Sequence, residues 1–255
     1  MAYRATFAAR LRGRQGLAGT FVKSADPAMI EVLGHSGLDF AILDAEHGAF
    51  DRGTIAAMMI AARAAQLPLL VRVPELAGHW IATALDAGAA GIVAPQVPDA
   101  EAAENLAKRM RYGPGGRGFT PSAAGADYGS RGIAGHLSRA GEETVLICQI
   151  EDEGAAARAA EIASVPGVDG LLVGPVDLAV SLGLTTPDAP EVERLSRDVM
   201  TAAQGAQKAA GLFLGQPGRG AEWAAQGATL FVLGTDQGYV LQGAKRALAE
   251  MRGAA

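Results

Sequence analysis

Cysteine is nearly absent from this chain. The one thiol, Cys148, excludes an internal disulfide and suits a reducing compartment. Its apolar neighbours in TVLICQI make it a small core residue rather than a nucleophile. Clustered lysines and arginines are missing too. With a net charge of −5 the chain lacks the basic footprint of a nucleic-acid-binding protein, and a small molecule is the expected partner. No apolar run approaches the length that spans a bilayer, and the amino-terminal MAYRATFAARLRGR has scattered arginines but no apolar signal core. These absences predict a soluble cytoplasmic protein with no membrane partner. No linker divides the sequence, so residues 1–255 are read as one domain.

What the chain does have is an alternation. Its hydrophobic fraction of 49% allows a substantial core. After an amphipathic amino-terminal helix, GLAGTFVK (16–23) reads as the first strand, followed by a helix from Pro27 with Ser24 or Asp26 as its cap. DFAILDAEH is the second strand, a helix from Asp51 to about Gln66 follows, and LPLLVRVP (67–74) is the third strand. HWIATALDAG leads to the fourth strand, AGIVAPQV. The helix from Asp99 to about Met110 then gives way to one long glycine-rich loop, RYGPGGRGFTPSAAGADYGSRG. Loops of that length in compact domains are commonly lids or binding loops.

TVLICQIE (144–151), VDGLLVGPVD, GLFLGQP (211–217) and TLFVLGTD complete eight strands. EGAAARAAEIASV, a helix from about Val192 to Ala210, GAEWAAQGA and GYVLQGAKRALAEM supply the helices of this half. Strands that are continuously apolar, rather than alternating, indicate a parallel sheet covered on its outer side. Eight strand-then-helix units in this length predict an α/β fold, a closed (β/α)8 TIM barrel. A doubly wound open sheet is the alternative, but no GxGxxG follows the first strand.

Side chains at the carboxy ends of barrel strands converge on one mouth. That rule selects Glu46, His47, Arg72, Gln96, Gln149, Glu151 and Asp177. FAILDAEHGAF (40–50) is central to this set, a buried apolar run that ends abruptly in Asp44, Glu46 and His47. Glu151 and Asp177 end adjacent strands. Two hard oxygen ligands, with no cysteine cluster and no HExxH, suit an octahedral divalent ion that keeps several waters, although either carboxylate alone would serve equally as a satisfied polar group. Gln149, two residues before Glu151, shares its face of the strand.

Arg72 interrupts LLVRVP, where a buried cation needs an anion. A substrate carboxylate, an enolate oxygen, or an internal bridge to Asp44 or Glu46 would meet it. Histidine changes protonation near neutral pH, which suits His47 to general-base work, whereas His35, His79 and His136 sit in helical or loop contexts and read as surface residues. Together these parts describe enolate chemistry: a divalent cation holding a 2-oxo acid, an arginine for developing oxyanion charge, and a base for proton transfer. Lys23 is the nearest lysine to a strand end, so a Schiff base is a minor alternative.

These segments resemble the HpcH/HpaI aldolases, metal-dependent class II pyruvate aldolases that include 4-hydroxy-2-oxoheptanedioate aldolase and 2-dehydro-3-deoxyglucarate aldolase. The similarity runs from about Gly19 to about Tyr239 through LDAEH (43–47), VRVP (71–74), LDAGAAGIVAPQV (85–97), RYGPGGRG (111–118), QIE (149–151) and VGPVDLAVSLG (173–183). The resemblance implies a barrel that exchanges its last helix with a neighbouring subunit and assembles as a hexamer. On matching positions it makes His47 the base and Asp86 the acid that raises its basicity. Arg72 would stabilise the transition state, Gln149 would contact substrate, and Glu151 and Asp177 would hold Mg, Mn or Co. The family's binding contact before the second ligand falls on Val176, where alanine is usual.

Related enzymes often carry an arginine near Gly125 that this chain lacks, which favours a neutral or hydroxylated aldehyde, with Ser122 as a contact. The implied reaction is reversible cleavage of a 4-hydroxy-2-oxo acid to pyruvate, or hydroxypyruvate, and an aldehyde. His47 would take the 4-hydroxyl proton directly or through a metal-bound water. A citrate-lyase-like carbon–carbon lyase acting on acyl-CoA esters is the alternative, but it requires a basic surface near the mouth that an acidic chain does not offer. A non-catalytic barrel that binds oxo acids is a second alternative.

Overall fold

The structure, a computed structural model, describes residues 2–76 and 79–253. Eight parallel strands pair in sequence order and close into a barrel, β8 against β1. The strands are β1 (Leu17–Val22), β2 (Phe40–Asp44), β3 (Leu69–Arg72), β4 (Gly91–Ala94), β5 (Val145–Ile150), β6 (Gly170–Val173), β7 (Ala209–Phe213) and β8 (Leu230–Thr235). The helices around them are α1 (Ala2–Arg12), α2 (Pro27–Gly34), α3 (Arg52–Ala65), α4 (Trp80–Ala87), α5 (Ala100–Arg109), α6 (Gly132–Ala140), α7 (Glu153–Ala157), α8 (Ala159–Ser164), α9 (Pro175–Ser181), α10 (Pro190–Gly205), α11 (Gly220–Ala225) and α12 (Asp236–Met251). The single-domain (β/α)8 expectation is met. No described helix is long and apolar enough to cross a membrane.

Strand alternation divides the core into two layers. Leu17, Phe40, Leu70, Val93, Ile147, Leu172 and Val232 fill the barrel interior, while Leu43, Val71, Ile92, Ile150 and Leu212 pack outward against the helices. Close packing inside demands glycine where strands approach. A Cβ on Gly19 would lie 2.5 Å from the Phe40 ring, and one on Gly211 would lie 1.6 Å from the Leu230 carbonyl oxygen. Helix α1 plugs the amino-terminal end of the barrel with Phe7, Ala8 and Leu11, which belong to the inner layer; Phe7 meets Phe40 with ring centroids 5.5 Å apart.

Helix starts follow the capping chemistry of the sequence. Asp26, Asp51 and Asp99 each accept a backbone N–H of the first turn of α2, α3 and α5. Several boundaries differ from expectation; the second and fourth strands stop at Asp44 and Ala94, and the helix expected to run to Ala210 ends at Gly205. The seventh strand begins at Ala209, two residues early, because Ala209 and Ala210 pair with Gly170 and Leu171. EGAAARAAEIASV breaks into α7 and α8 at Arg158, whose φ and ψ of −101° and 9° leave the helical range. The sixth strand stops at Val173; Pro175 starts α9, where its missing N–H costs nothing. Asp177 is therefore a first-turn helix residue rather than a strand end.

A buried ion network fastens α1 to this frame. Arg4 donates to the carbonyls of Gly88 and Gly125 at 3.1 and 3.3 Å and to Glu143 at 2.7 Å, and Arg131 reaches Glu143 from the other side at 2.8 and 2.9 Å. Burial alone would push the Glu143 carboxyl up, but the Arg131 hydrogen bonds and the Arg4 charge outweigh it and hold it below its usual value. Arg4→Met is expected to cost about 3 kcal/mol, a fall of about 6–12 °C in Tm at neutral pH. Because the Glu143 value is lowered by folding, its contribution is present above the ordinary glutamate range and lost as pH falls below it. The difference in Tm between parent and variant should therefore shrink in acid, which paired thermal melts at pH 7 and pH 4 would measure.

Candidate active site

The inward-facing residues at the strand ends meet at the carboxy-terminal mouth. Asp44 is fully buried. Its Oδ1 accepts from Arg72 Nε at 2.9 Å and from the backbone N–H of His47 at 3.2 Å, and Lys23 Nζ lies 3.4 Å from Oδ2. Burial pushes the Asp44 carboxyl up, and the Arg72 hydrogen bond and charge overcome it, leaving the group below its usual value. The Arg72 guanidinium lies over the Phe21 ring at 4.6 Å. Its Nη2 is 2.8 Å from Asp44 Oδ1 and its Nη1 is 3.1 Å from Glu46 Oε2, but only Nε is aligned for a hydrogen bond. Both internal bridges considered for Arg72 thus exist together, and both terminal nitrogens keep hydrogen-bonding capacity. His47, more than half exposed, has Nε2 3.8 Å from Glu46 Oε2.

Across the mouth, Gln149 on β5 and Glu151 just past its end turn to the same inward side, as their spacing requires. Gln149 Nε2 donates to Glu151 Oε1 at 2.6 Å, and the backbone N–H of Gln96 donates to Oε2 at 2.7 Å. Burial above all, then the charges of Asp177 and Glu46, push the Glu151 carboxyl up to about 7 against the opposing Gln96 hydrogen bond. Asp177 comes to the same place: a Cβ built on Gly174 would lie 3.1 Å from Glu151 Oε1 and 3.2 Å from Asp177 Oδ2. Glycine at 174 leaves a cradle bordered by two carboxylate oxygens. Among the described residues the buried Gln149 Oε1 and Glu46 Oε2 have no hydrogen-bond partner. Such an oxygen-only set fits a hard divalent cation, and since no third acidic, histidine or cysteine ligand joins the pair among the described residues, water and substrate would complete its shell.

Two expected site residues lie elsewhere in the chain. Asp86 is in the last turn of α4, at the barrel's amino-terminal end, where its carboxylate accepts from Arg117 at 2.9 Å. Desolvation raises its pKa, with Arg117, His136 and Arg52 opposing. No hydrogen bond joins Asp86 to His47 among the described residues. Ser122, bonded to Thr120 at 3.1 Å, belongs to the glycine-rich loop, which leads from α5 into α6 and β5 and rests on α4. A Cβ on its Gly125 would lie 2.3 Å from the Leu85 carbonyl oxygen. The loop is thus remote from this chain's own mouth. His136, expected at the surface, is 4% exposed and shares a 2.7 Å hydrogen bond with Tyr112, on whose ring Arg117 lies at 4.1 Å.

Val176 stands beside Asp177 in α9, half-exposed, on a cavity of about 220 Å³ lined also by Leu212, Leu214, Gln216, Arg219 and Trp223. Arg219 there is taken up by Glu193 at 2.5 Å and Glu222 at 2.6 Å.

Residues 17–242 match the family model described as HpcH/HpaI aldolase/citrate lyase. The chain belongs to this family. It is 32% identical to a hydroxypyruvate/pyruvate aldolase of Deinococcus radiodurans over 97% of this chain and 90% of that protein. It is also 32% identical to a 5-keto-4-deoxy-D-glucarate aldolase of Klebsiella pneumoniae, over 96% of this chain and 95% of the relative. Among solved structures, an HpcH/HpaI aldolase/citrate lyase family protein from Burkholderia cenocepacia superposes with a TM-score of 0.91 at 31% identity, covering 97% of this chain and 99% of that one. The HpcH/HpaI chain described here is accordingly an aldolase, a carbon–carbon lyase, built on the family's barrel.

Proposed function

We propose that this aldolase reversibly cleaves 4-hydroxy-2-oxo acids to pyruvate or hydroxypyruvate and an aldehyde, at a site where Glu151 and Asp177 hold Mg, Mn or Co. The observation that carries this reading is the oxygen-lined cradle at Gly174 facing Arg72 and His47 across one mouth. When bound, the cation supplies Lewis-acid charge to the oxygens of the 2-oxo acid. Arg72, kept in place by Asp44, Glu46 and the Phe21 ring, offers its terminal nitrogens to the oxygen on which charge develops. Gln149 contacts the same acid, and its unpartnered Oε1 suits a hydroxyl donor such as that of hydroxypyruvate. The backbone beside Val176 lines the acid's other side. His47 takes the 4-hydroxyl proton in cleavage and returns it in the reverse direction.

The aldehyde is neutral or hydroxylated. Lys23 and Arg72 each already face a carboxylate, and Arg219 faces two, so none of these three cations stands ready for a second acid group. A panel of neutral and carboxylated aldehydes with pyruvate and hydroxypyruvate, read by product analysis, tests this. Turnover restricted to carboxylated aldehydes, or to acyl-CoA esters, would sink it.

Asp86 serves the His47 of a neighbouring subunit in a hexamer, and Ser122 reaches the aldehyde there. This is supported by their position at the opposite end of the barrel and by α12. That helix leaves Val240, Leu241 and Met251 61%, 56% and 73% exposed, an apolar face suited to exchange onto a second copy. His47→Ala and Asp86→Ala are each expected to lose about 10²–10⁴-fold in kcat. Co-expressed and mixed, they should recover roughly a quarter of parental activity, because some sites then combine both intact residues from different chains. Mixtures no more active than either variant would place the pair within one chain or separate their roles. The free, buried Cys148 suits action in the cytoplasm.

A further inference from the structure

Among the described residues, six other than glycine have positive φ. Arg14, Gln66 and Gln207 follow the ends of α1, α3 and α10, where such a residue commonly closes a helix. Asp127 and Tyr128 lie in the loop resting on α4, far from the mouth. Gln96 alone adopts this conformation at the mouth, with φ of 49°, two residues past the end of β4 and with no helix to terminate. A side chain in this region costs conformational energy that the surroundings must repay.

The repayment is visible in what the turn connects. With the backbone left-handed, the Gln96 N–H points at Glu151 Oε2, 2.7 Å away, and the next N–H, of Val97, reaches the Gln149 carbonyl oxygen at 3.3 Å. The Gln96 side chain extends the other way, its Nε2 donating to Glu46 Oε1 at 3.1 Å. The Gln96 turn therefore joins the two halves of the site: its own N–H holds Glu151 and the following N–H of Val97 holds Gln149, while its side-chain amide holds Glu46, which in turn lies against Arg72. With Oε2 occupied by Gln96, and Oε1 fixed by Gln149 beside Asp177, Glu151 has one orientation available.

We propose that Gln96 is a positioning residue for the cation site, its strained backbone turning an N–H onto Glu151 so that the second oxygen faces Asp177. The inference rests on the reading that Glu151 and Asp177 hold the cation. Groups that orient a metal ligand typically govern about 10–100-fold of metal affinity. Glycine accepts the left-handed conformation freely and keeps the N–H, whereas a β-branched residue resists it.

The test is titration of the full-length, metal-stripped protein with Mn²⁺ alone, without substrate, followed by electron paramagnetic resonance. Gln96→Gly is expected to bind Mn²⁺ within about threefold of the parent and Gln96→Val at least about tenfold more weakly. The glycine variant should still lose kcat/KM, since the amide link to Glu46 is gone. A comparison of Gln96→Ala with Gln96→Gly, the alanine form binding more weakly, replaces the valine arm if that protein does not fold. Equal affinity of the valine and parent proteins, or equal loss in the glycine and valine variants, overturns the role of Gln96. Glu151→Gln, titrated alongside, separates the two ideas. If it binds Mn²⁺ like the parent, the cation reading itself fails; if it loses Mn²⁺ while Gln96→Val retains it, only the positioning role fails.

Discussion

Glu151→Gln is expected to lower kcat/KM for aldol cleavage by at least about 10³-fold, equivalent to about 4 kcal/mol of transition-state stabilisation, while the protein stays folded. The substitution keeps the shape of the side chain and removes its charge. Hard divalent cations depend on anionic oxygen, and among the described residues Asp177 is the one other carboxylate bordering the cradle at Gly174. In the metal-free protein the Glu151 charge is unfavourable: burial, Asp177 and Glu46 together push its carboxyl up to about 7. Neutralising it removes that repulsion, so Tm above neutral pH should hold or rise even as activity is lost. A purely structural Glu151 predicts the reverse pattern, a lower Tm with activity scaling to the folded fraction. Initial rates and thermal melts on the same preparations distinguish them, and activity within tenfold of the parent would refute the assignment.

Arg72→Lys should cost about 10²–10³-fold in kcat/KM, the range lost when one preorganised oxyanion donor is removed. Lysine retains the charge but not the planar fork, and in this site the fork meets Asp44 and Glu46 while lying on Phe21. Arg72→Met should lose at least as much activity and, unlike the lysine variant, should also lose about 3–5 kcal/mol of stability, because the fully buried Asp44 carboxylate would lose its main partner. The contrast between the two is informative. Equal loss of activity with unequal loss of stability assigns Arg72 to the chemistry, whereas activity that follows stability in both assigns it to Asp44 alone.

Barrel order and the inward set at the mouth were legible because each strand had to supply a continuous apolar run, and parity then decided which side chains turned inward. Gln149 and Glu151 illustrate this directly. The aspartate caps at positions 26, 51 and 99 were legible for the same local reason, a side-chain acceptor ahead of an apolar helix.

Features that depend on where the chain goes after leaving an element were not legible. Asp177 read as a strand end because GLLVGPVD stays apolar past the true end at Val173. The glycine-rich loop read as a lid or binding loop, with no indication of which barrel it serves, because length says nothing about which end of a barrel it occupies. Its position after a helix and before β5 was the available clue, since helix-to-strand connections fall at the amino-terminal face. His136 read as exposed because its burial depends on Tyr112, 24 residues away. The left-handed Gln96 had no sequence mark, glycine and asparagine being the usual signals.

The most direct test of the account is exchange of the methyl protons of pyruvate in deuterated buffer, followed by proton nuclear magnetic resonance without any aldehyde. Enolate formation at Glu151, Asp177 and Arg72 predicts exchange that stops in excess EDTA, returns with Mg, Mn or Co, and is lost in Glu151→Gln. Exchange that continues undiminished in EDTA, together with irreversible inactivation by borohydride in the presence of pyruvate, would contradict it and point to a Schiff base on a lysine instead.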